Sequence, residues 1–301
     1  MKSRWARPPI IIIGMHRSGT GVLSRTLEEL GLFVGKLKGR TSENNEARLF
    51  RLCNTWLMRQ SGSTWDHPEP IDYLLDNAQM RALAASYVAY LISTPRAISY
   101  LGWRRYLQLR TPANLEIPWG WKDPRSTYTL PVWLDLFPDA KVIHIYRNGV
   151  DVARSLRDRA IVQMVELRGW LERHGHSVGF HRRSFRVFSS ISLRCLALEE
   201  GFALWEGYTR RADQNLADLP TSRALALRYE DFLLDPVTLV QALCEFCEIE
   251  PNSGLVHSVC RKIDTSRSGV YQHNPELLEF FDRVKNSTQM LRYSYWEGQS
   301  G

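Results

Sequence analysis

Residues Gly14–Gly21 read GMHRSGTG and follow four consecutive isoleucines, Ile10 to Ile13. Glycines at 14, 19 and 21 let a backbone pass close to a ligand. Backbone N–H groups at the start of a helix point at an anion, and the helix dipole adds to the attraction. Ser18 and Thr20 supply hydroxyl donors, and the planar guanidinium of Arg17 can hold oxygens in two directions. The pattern describes a loop that holds phosphate, with a tight strand-to-helix turn as the plainer alternative. The lysine that follows the second glycine of an ATP-binding loop is absent here, and Thr20 stands in its place.

An ATP or GTP site also needs Mg²⁺ and an acidic residue at the end of a neighbouring strand. The best neighbouring strand, KVIHIY at 141–146, is followed by Arg147, a cation that attracts a second phosphate and repels a metal. Asp123 opens another strand-end loop, and Pro124 and Arg125 flank it. A nucleotide-dependent kinase or NTPase is therefore the secondary reading. The primary one is a nucleotide with phosphates at two places, one held by the Arg17 loop and one by Arg147. Ser155, eight residues beyond Arg147, adds a hydroxyl for the second phosphate.

The elements that must position these residues follow from periodicity. Ile10–Ile13 is a short apolar run ending in glycine, as buried parallel strands read. Val22, Leu23, Leu27 and Leu30 then fall at helical spacing, with Gly31 as a stop. The same strand–loop–helix unit recurs at KVIHIY and at ALALRY (224–229), and IPWGWK (117–122) reads as a further short strand. This alternation predicts an α/β fold with a central parallel sheet flanked by helices. Ligands bind beyond the carboxyl ends of such strands, so the loops after Ile13, Lys122, Tyr146 and Tyr229 are expected to share one cleft. Helices are predicted over 46–60, 74–93 and 192–217, and an irregular, basic stretch over 157–190. The chain reads as a single domain, 1–301, in which 41–115 and 157–190 are insertions forming a mostly helical cap.

Bulk properties bound the possibilities. A chain of 301 residues is long enough for one well-buried domain. The net charge of +7 suits an anionic partner, although basic charge by itself also serves solubility. A protein that binds nucleic acid would cluster its charge among stacking aromatics; Trp103-Arg104-Arg105-Tyr106 is such a place, but elsewhere the charge is dispersed, and no nucleic-acid partner is expected. No apolar stretch is long enough to span a membrane, and the start lacks the long apolar core of a secretory signal. Five scattered cysteines, including the Cys244-x-x-Cys247 pair, suggest buried reduced thiols and a cytoplasmic setting.

IIIIGMHRSGTGVLSRTLEELG resembles the 5′-phosphosulfate loop of sulfotransferases, and VIHIYRNGVDVARSL resembles their 3′-phosphate motif, where an Arg and a Ser stand eight apart. WGWKDPRSTYTLPVWLDLFPDAKV and LRYEDFLLDPVTLVQALCEFCEI resemble further segments of the family, in the same order from Ile10 to Ile249. The likeness is closest to the branch with an arginine in the loop, which includes protein-tyrosine sulfotransferases and bacterial carbohydrate or lipid enzymes. It implies a P-loop α/β domain that transfers the sulfuryl group of 3′-phosphoadenosine-5′-phosphosulfate (PAPS) to a hydroxyl or amine.

The resemblance also assigns roles. Arg17 and the loop residues Ser18, Gly19, Thr20 and Gly21 would hold the 5′-phosphate and the transferring group, and Arg147 with Ser155 the 3′-phosphate. Lys122 matches the K-D-P lysine that contacts the sulfuryl or bridging oxygen; a strand-end ion pair with Asp123 is its structural alternative. Tyr229 matches a position that touches adenosine, with core packing as the alternative, and Arg267 with Ser268 falls in a segment that resembles the late loop closing on the 3′-phosphate, with a surface loop as the alternative. Relatives use a Glu or His to take the acceptor proton. Glu46 and Glu43 in TSENNEARLF are both candidates, and His16 is a third. The segment with His174, His176 and His181 suits an acidic acceptor or a solvated loop, and it lacks paired metal-ligand spacing. The acceptor itself stays open among a carbohydrate, a lipid headgroup, a small natural product and a peptide tyrosine.

Overall fold

The computed structural model describes residues 6–37, 46–174 and 191–296. Four strands, β1 (Ile10–Ile13), β2 (Gly120–Lys122), β3 (Lys141–Tyr146) and β4 (Ala224–Arg228), form one parallel sheet in the order β2-β1-β3-β4. Every residue of β1 is buried, which is why its sequence shows no polar alternation. Because all strands run the same way, the loops after them leave one edge of the sheet, as their sequence pattern predicts.

The main helices are α1 (Thr20–Glu29), α2 (Arg48–Arg59), α3 (Ala78–Leu91), α4 (Ser126–Leu136), α5 (Gly149–His174), α6 (Leu198–Ala217), α7 (Tyr229–Leu234), α8 (Pro236–Cys247), α9 (Ser253–Cys260) and α10 (Pro275–Val284). The chain divides into two compact units. The first comprises Met1–Arg147 and Tyr208–Ser268, and the second Asn148–Gly207 and Gly269–Gly301.

In the first unit, Ile10 and Ile12 join Ile143 and Ile145 on one face of the sheet, packed with Leu23 and Leu27 of α1 and Val240 and Leu243 of α8. Around Trp121, the register partner of Ile11, the core is aromatic. Phe50 of α2 stacks on Trp121 with ring centroids 4.0 Å apart, and Trp133 of α4 lies 4.7 Å from the same ring. Rings of this size each bury on the order of 200 Å², and they clamp α2 and α4 beside the strand end that carries Lys122. Trp119, Trp121, Trp133 and Trp205 are fully buried, so these four are core residues and not exposed stacking platforms.

In the second unit α5 starts at Gly149, where a Cβ would lie only 2.6 Å from the Trp205 ring. Arg157 pairs in a bidentate manner with Glu276 of α10, and Asp151 Oδ1 accepts from the Tyr271 N–H at 2.9 Å. The expectation of irregular chain from 157 onward fails for 157–174, which continue α5 as helix. Leu156, Ala160 and Leu167 are buried at helical spacing, and Arg168–Glu172 adds an i,i+4 pair. Residues 175–190, with His176 and His181, lie outside the described residues.

Candidate active site

The loop between β1 and α1 has the backbone of an anion cradle. Gly14 and Gly19 take φ of 135° and 91°, and Arg17, a non-glycine residue, takes 72°. A side chain in the left-handed region costs on the order of 1–3 kcal/mol and persists only where surrounding structure enforces it. The Gly14 N–H donates to Thr127 Oγ1 at 3.1 Å, and the Ser18 N–H donates to the Met15 carbonyl at 3.2 Å. Thr20 and Gly21 open α1 directly after the turn. Ser18 is fully buried, yet its hydroxyl finds no hydrogen-bond partner among the described residues; the same is true of Ser24 in α1. Leaving a buried hydroxyl unsatisfied costs about 1–3 kcal/mol, and an anion seated in the loop would supply the missing acceptor.

Tyr229, the first residue of α7, packs on this loop so closely that a Cβ on Gly19 would lie 2.3 Å from its ring. The buried Arg147, at the end of β3, sets its guanidinium 5.2 Å from the Tyr229 ring centre. Its Nη1 donates to the Arg17 carbonyl at 3.5 Å, and its Nη2 donates to the Arg267 carbonyl. Arg17, Arg147, Tyr229 and Arg267 are thereby brought together, although they are far apart in sequence. Burial pushes the Tyr229 hydroxyl above its ordinary pKa, and Arg147 and Arg267 oppose that rise. Beside them lies a cavity of about 280 Å³ lined by Arg25, Thr26, Tyr229, Lys262, Asp264 and Arg267 among others. Arg25 and Lys262 were not singled out by the sequence, because a single cation, on α1 or in the turn after α9, reads as solvated surface.

The second cluster sits at the end of β2. Lys122 Nζ donates to Glu46 Oε1 at 2.6 Å, and the two side chains are only 2% and 6% exposed. Glu46 lies ahead of α2, whose first residue is Arg48, and so is neither a solvated cap nor part of the helix. The alternative of a Lys122–Asp123 pair is not what forms. Asp123 Oδ1 accepts from the backbone N–H of Arg125 at 3.0 Å and from its Nη1 at 3.1 Å, while Asn54 Nδ2 donates to Oδ2 at 2.9 Å. Burial raises the Asp123 pKa, Arg125 opposes this, and the Glu46 carboxylate adds to it.

Asn54 is the hub of this cluster. It also donates to Ser126 Oγ at 2.9 Å and accepts, on Oδ1, from Thr129 Oγ1 and Trp133 Nε1, both at 2.7 Å. Its one sequence signal is an amide among the apolar positions of RLFRLCNTWLM. The clusters adjoin because β1 and β2 are neighbours, and the Asp123 N–H donates to the Ile12 carbonyl at 3.3 Å.

Of the other predicted residues, His16 is half-buried and meets Trp65 edge-on, with ring centroids 4.9 Å apart. The Trp65 turn is held by Tyr208, whose hydroxyl donates to its carbonyl at 2.7 Å. Glu43 lies outside the described residues, and Ser155 stands half-buried on α5 in the second unit. All five cysteines are free and buried. Among the described residues no three or more His, Cys, Asp or Glu side chains are grouped to hold a metal ion, and no helix is long and apolar enough to cross a membrane.

Chemically, the edge of the sheet offers an anion loop, a buried arginine over an aromatic ring, and a desolvated lysine–carboxylate pair. Among solved structures, the chain is similar to the sulfotransferase domain of the Synechococcus PCC 7002 olefin synthase, at 17% identity, with 99% of this chain and 98% of that one covered and a TM-score of 0.47. It is also similar to a sulfotransferase from Alicyclobacillus acidocaldarius, at 18% identity, 97% and 99% coverage and a TM-score of 0.48. No curated protein matches the sequence. The Sulfotransferase family profile matches residues 8–253, a span that holds Arg17, Glu46, Lys122, Arg147 and Tyr229, and the chain is therefore an enzyme of the sulfotransferase family.

Proposed function

We propose that the enzyme takes its sulfuryl group from PAPS and transfers it to a hydroxyl or amine of an acceptor by in-line displacement. The observation that carries this reading is the cradle around Ser18. A buried hydroxyl lacking an acceptor, a loop with three left-handed residues and a buried arginine stacked on a tyrosine all fit a ligand with two separated phosphates. The P-loop from Gly14 to Gly21, with Arg17, holds the 5′-phosphosulfate. Arg147 and Arg267 serve the 3′-phosphate, joined by Ser155 on the strength of its spacing. Tyr229 and the adjoining cavity take the nucleoside.

Sulfuryl transfer spreads charge over equatorial oxygens, so positioning and cationic stabilisation carry much of the catalysis. Glu46 accepts the acceptor proton as the acceptor oxygen (or nitrogen) bonds to sulfur. The bond from sulfur to the 5′-phosphate oxygen breaks, and adenosine 3′,5′-bisphosphate leaves. Lys122 stabilises the charge that develops on the bridging oxygen. The 2.6 Å Lys122–Glu46 contact is then a resting arrangement, in which cation and base neutralise each other until donor and acceptor separate them. No step assigned here calls for a metal. The acceptor is a carbohydrate, lipid headgroup, small natural product or peptide tyrosine, and buried free thiols support a reducing compartment such as the cytoplasm.

The test is thermal stabilisation by adenosine 3′,5′-bisphosphate with EDTA present, followed by a screen of acceptors with labelled donor. Stabilisation by the bisphosphate above that by ATP is expected. Stabilisation by ATP alone, and only with Mg²⁺, would favour the kinase or NTPase reading.

A further inference from the structure

Helix α3 has an unusual composition for a helix at the surface. Over Ala78–Leu91 it carries one charged residue, Arg81, and that residue is tied to Asp135 by two bonds of 2.7 Å. Ala84, Val88 and Leu91 bury one side of the helix. Beside that side runs a second apolar stripe, Met80, Leu83, Tyr87 and Tyr90, which is 46%, 61%, 39% and 64% exposed.

The spacing of the stripe, three, four and three residues, is that of a coiled-coil seam. It continues onto α2, because Tyr87 lies 4.3 Å from the Trp56 ring, with Leu52 one turn away and 45% exposed. Ser86 borders the stripe, and a small residue there lets a second helix approach closely. With whole residues of this size exposing roughly 200 Å², the exposed fractions of Met80, Leu83, Tyr87, Tyr90 and Leu52 amount to about 500 Å². That is in the upper part of the range for the largest apolar patch on a monomer, a size often tied to function. Two copies of it would bury about 1,000 Å², the size of a small, weak interface.

We propose that this face is a homodimer interface, in which the Met80–Tyr90 stripe of one copy packs on the same stripe of a second copy about a two-fold axis. The spacing argues for self-association, since a three–four seam interdigitates with another of the same period. Charge argues the same way: the chain carries +7, yet α3 brings no unpaired charge to the contact. A lipid surface would instead select lysines and arginines along the polar flank of such a helix, and α3 has only the tethered Arg81.

The experiment is sedimentation equilibrium of the full chain from about 1 to 100 μM, a range that brackets the affinity of a small interface. A mass of twice 34.9 kDa is expected at the upper end. Leu83→Glu with Tyr90→Glu should weaken association at least tenfold while leaving thermal stability and bisphosphate-nucleotide binding unchanged. A second variant, Leu83→Cys, places the one surface thiol on the stripe, since the native cysteines are all buried. Glutathione disulfide should convert that variant, and not the wild type, to a covalent dimer by thiol–disulfide exchange, releasing two glutathione thiols per dimer. A monomer throughout the range, a dimer indifferent to the double substitution, or pelleting of the wild type alone with anionic phospholipid vesicles would each overturn the proposal.

Discussion

Replacing Glu46 by Gln isolates the charge of the buried carboxylate, the proposed base, while preserving its shape. Gln retains an acceptor oxygen where Lys122 Nζ now meets Oε1 at 2.6 Å, so the packing around the two nearly unexposed side chains should survive. If Glu46 takes the acceptor proton, turnover should fall by about 10²–10⁴-fold, which is roughly 3–5 kcal/mol of barrier. Affinity for adenosine 3′,5′-bisphosphate should change by less than about threefold, because the proposed nucleotide contacts lie around Ser18, Arg147 and Tyr229; such a loss confined to kcat marks a group used only in the transition state. The same change leaves the Lys122 ammonium buried without its counter-charge. Breaking a buried pair from one side costs about 3–5 kcal/mol. The retained hydrogen bond puts Gln at the low end, a fall in Tm of roughly 6–12 °C. Adding Lys122→Met should recover most of that stability, since two apolar groups leave no stranded charge, and should recover none of the activity. Single-turnover kinetics with labelled donor, beside thermal unfolding of the variants, supply both readouts. Turnover within about threefold of wild type in Glu46→Gln would refute the assignment and move attention to Glu43 and His16.

Other perturbations test other parts of the site. Arg147→Ala should weaken bisphosphate binding by about 10- to 150-fold, the value of a charge-assisted hydrogen bond, as read by titration calorimetry. Arg147→Lys should not restore it, because a compact ammonium cannot reproduce a planar group lying over the Tyr229 ring. Gly19→Ala combines a φ of 91° with a methyl 2.3 Å from the Tyr229 ring, so both thermal stability and nucleotide affinity should fall, the former by on the order of 1–3 kcal/mol. His144, wholly buried in β3, has its pKa lowered by burial from 6.5 to about 4. The folded protein thus keeps the ring neutral where the unfolded chain would protonate it. Its contribution is complete above pH 6.5 and is lost as the pH falls towards about 4, amounting to about 3 kcal/mol across that window. Denaturant unfolding at pH 7.5 and pH 5 should show that decline, and His144→Leu should flatten it.

Much of this enzyme could be read from local pattern. A short continuous apolar run ending in glycine reads as a buried strand, and the glycines and Arg17 of the next turn are residue types that suit an anion loop. Three such units therefore announced the parallel sheet, and parallel strands alone put their loops on one edge. The α5 helix beyond residue 157 escaped this reading because its buried stripe is thin, with Leu156, Ala160 and Leu167 set among exposed apolar and charged neighbours.

Partnerships were a matter for tertiary structure. Lys122 adjoins Asp123 in sequence, yet the strand directs its side chain to Glu46, 76 residues away, while Asp123 turns to Arg125 and Asn54. Arg267 meets Arg147 and Tyr229 only because separate loops reach the same edge. Spacing encodes which face of an element a side chain occupies, since helix and strand periods are short and fixed. Which distant charge it meets depends on strand order and the paths of the intervening loops, and these are settled by packing of the whole core.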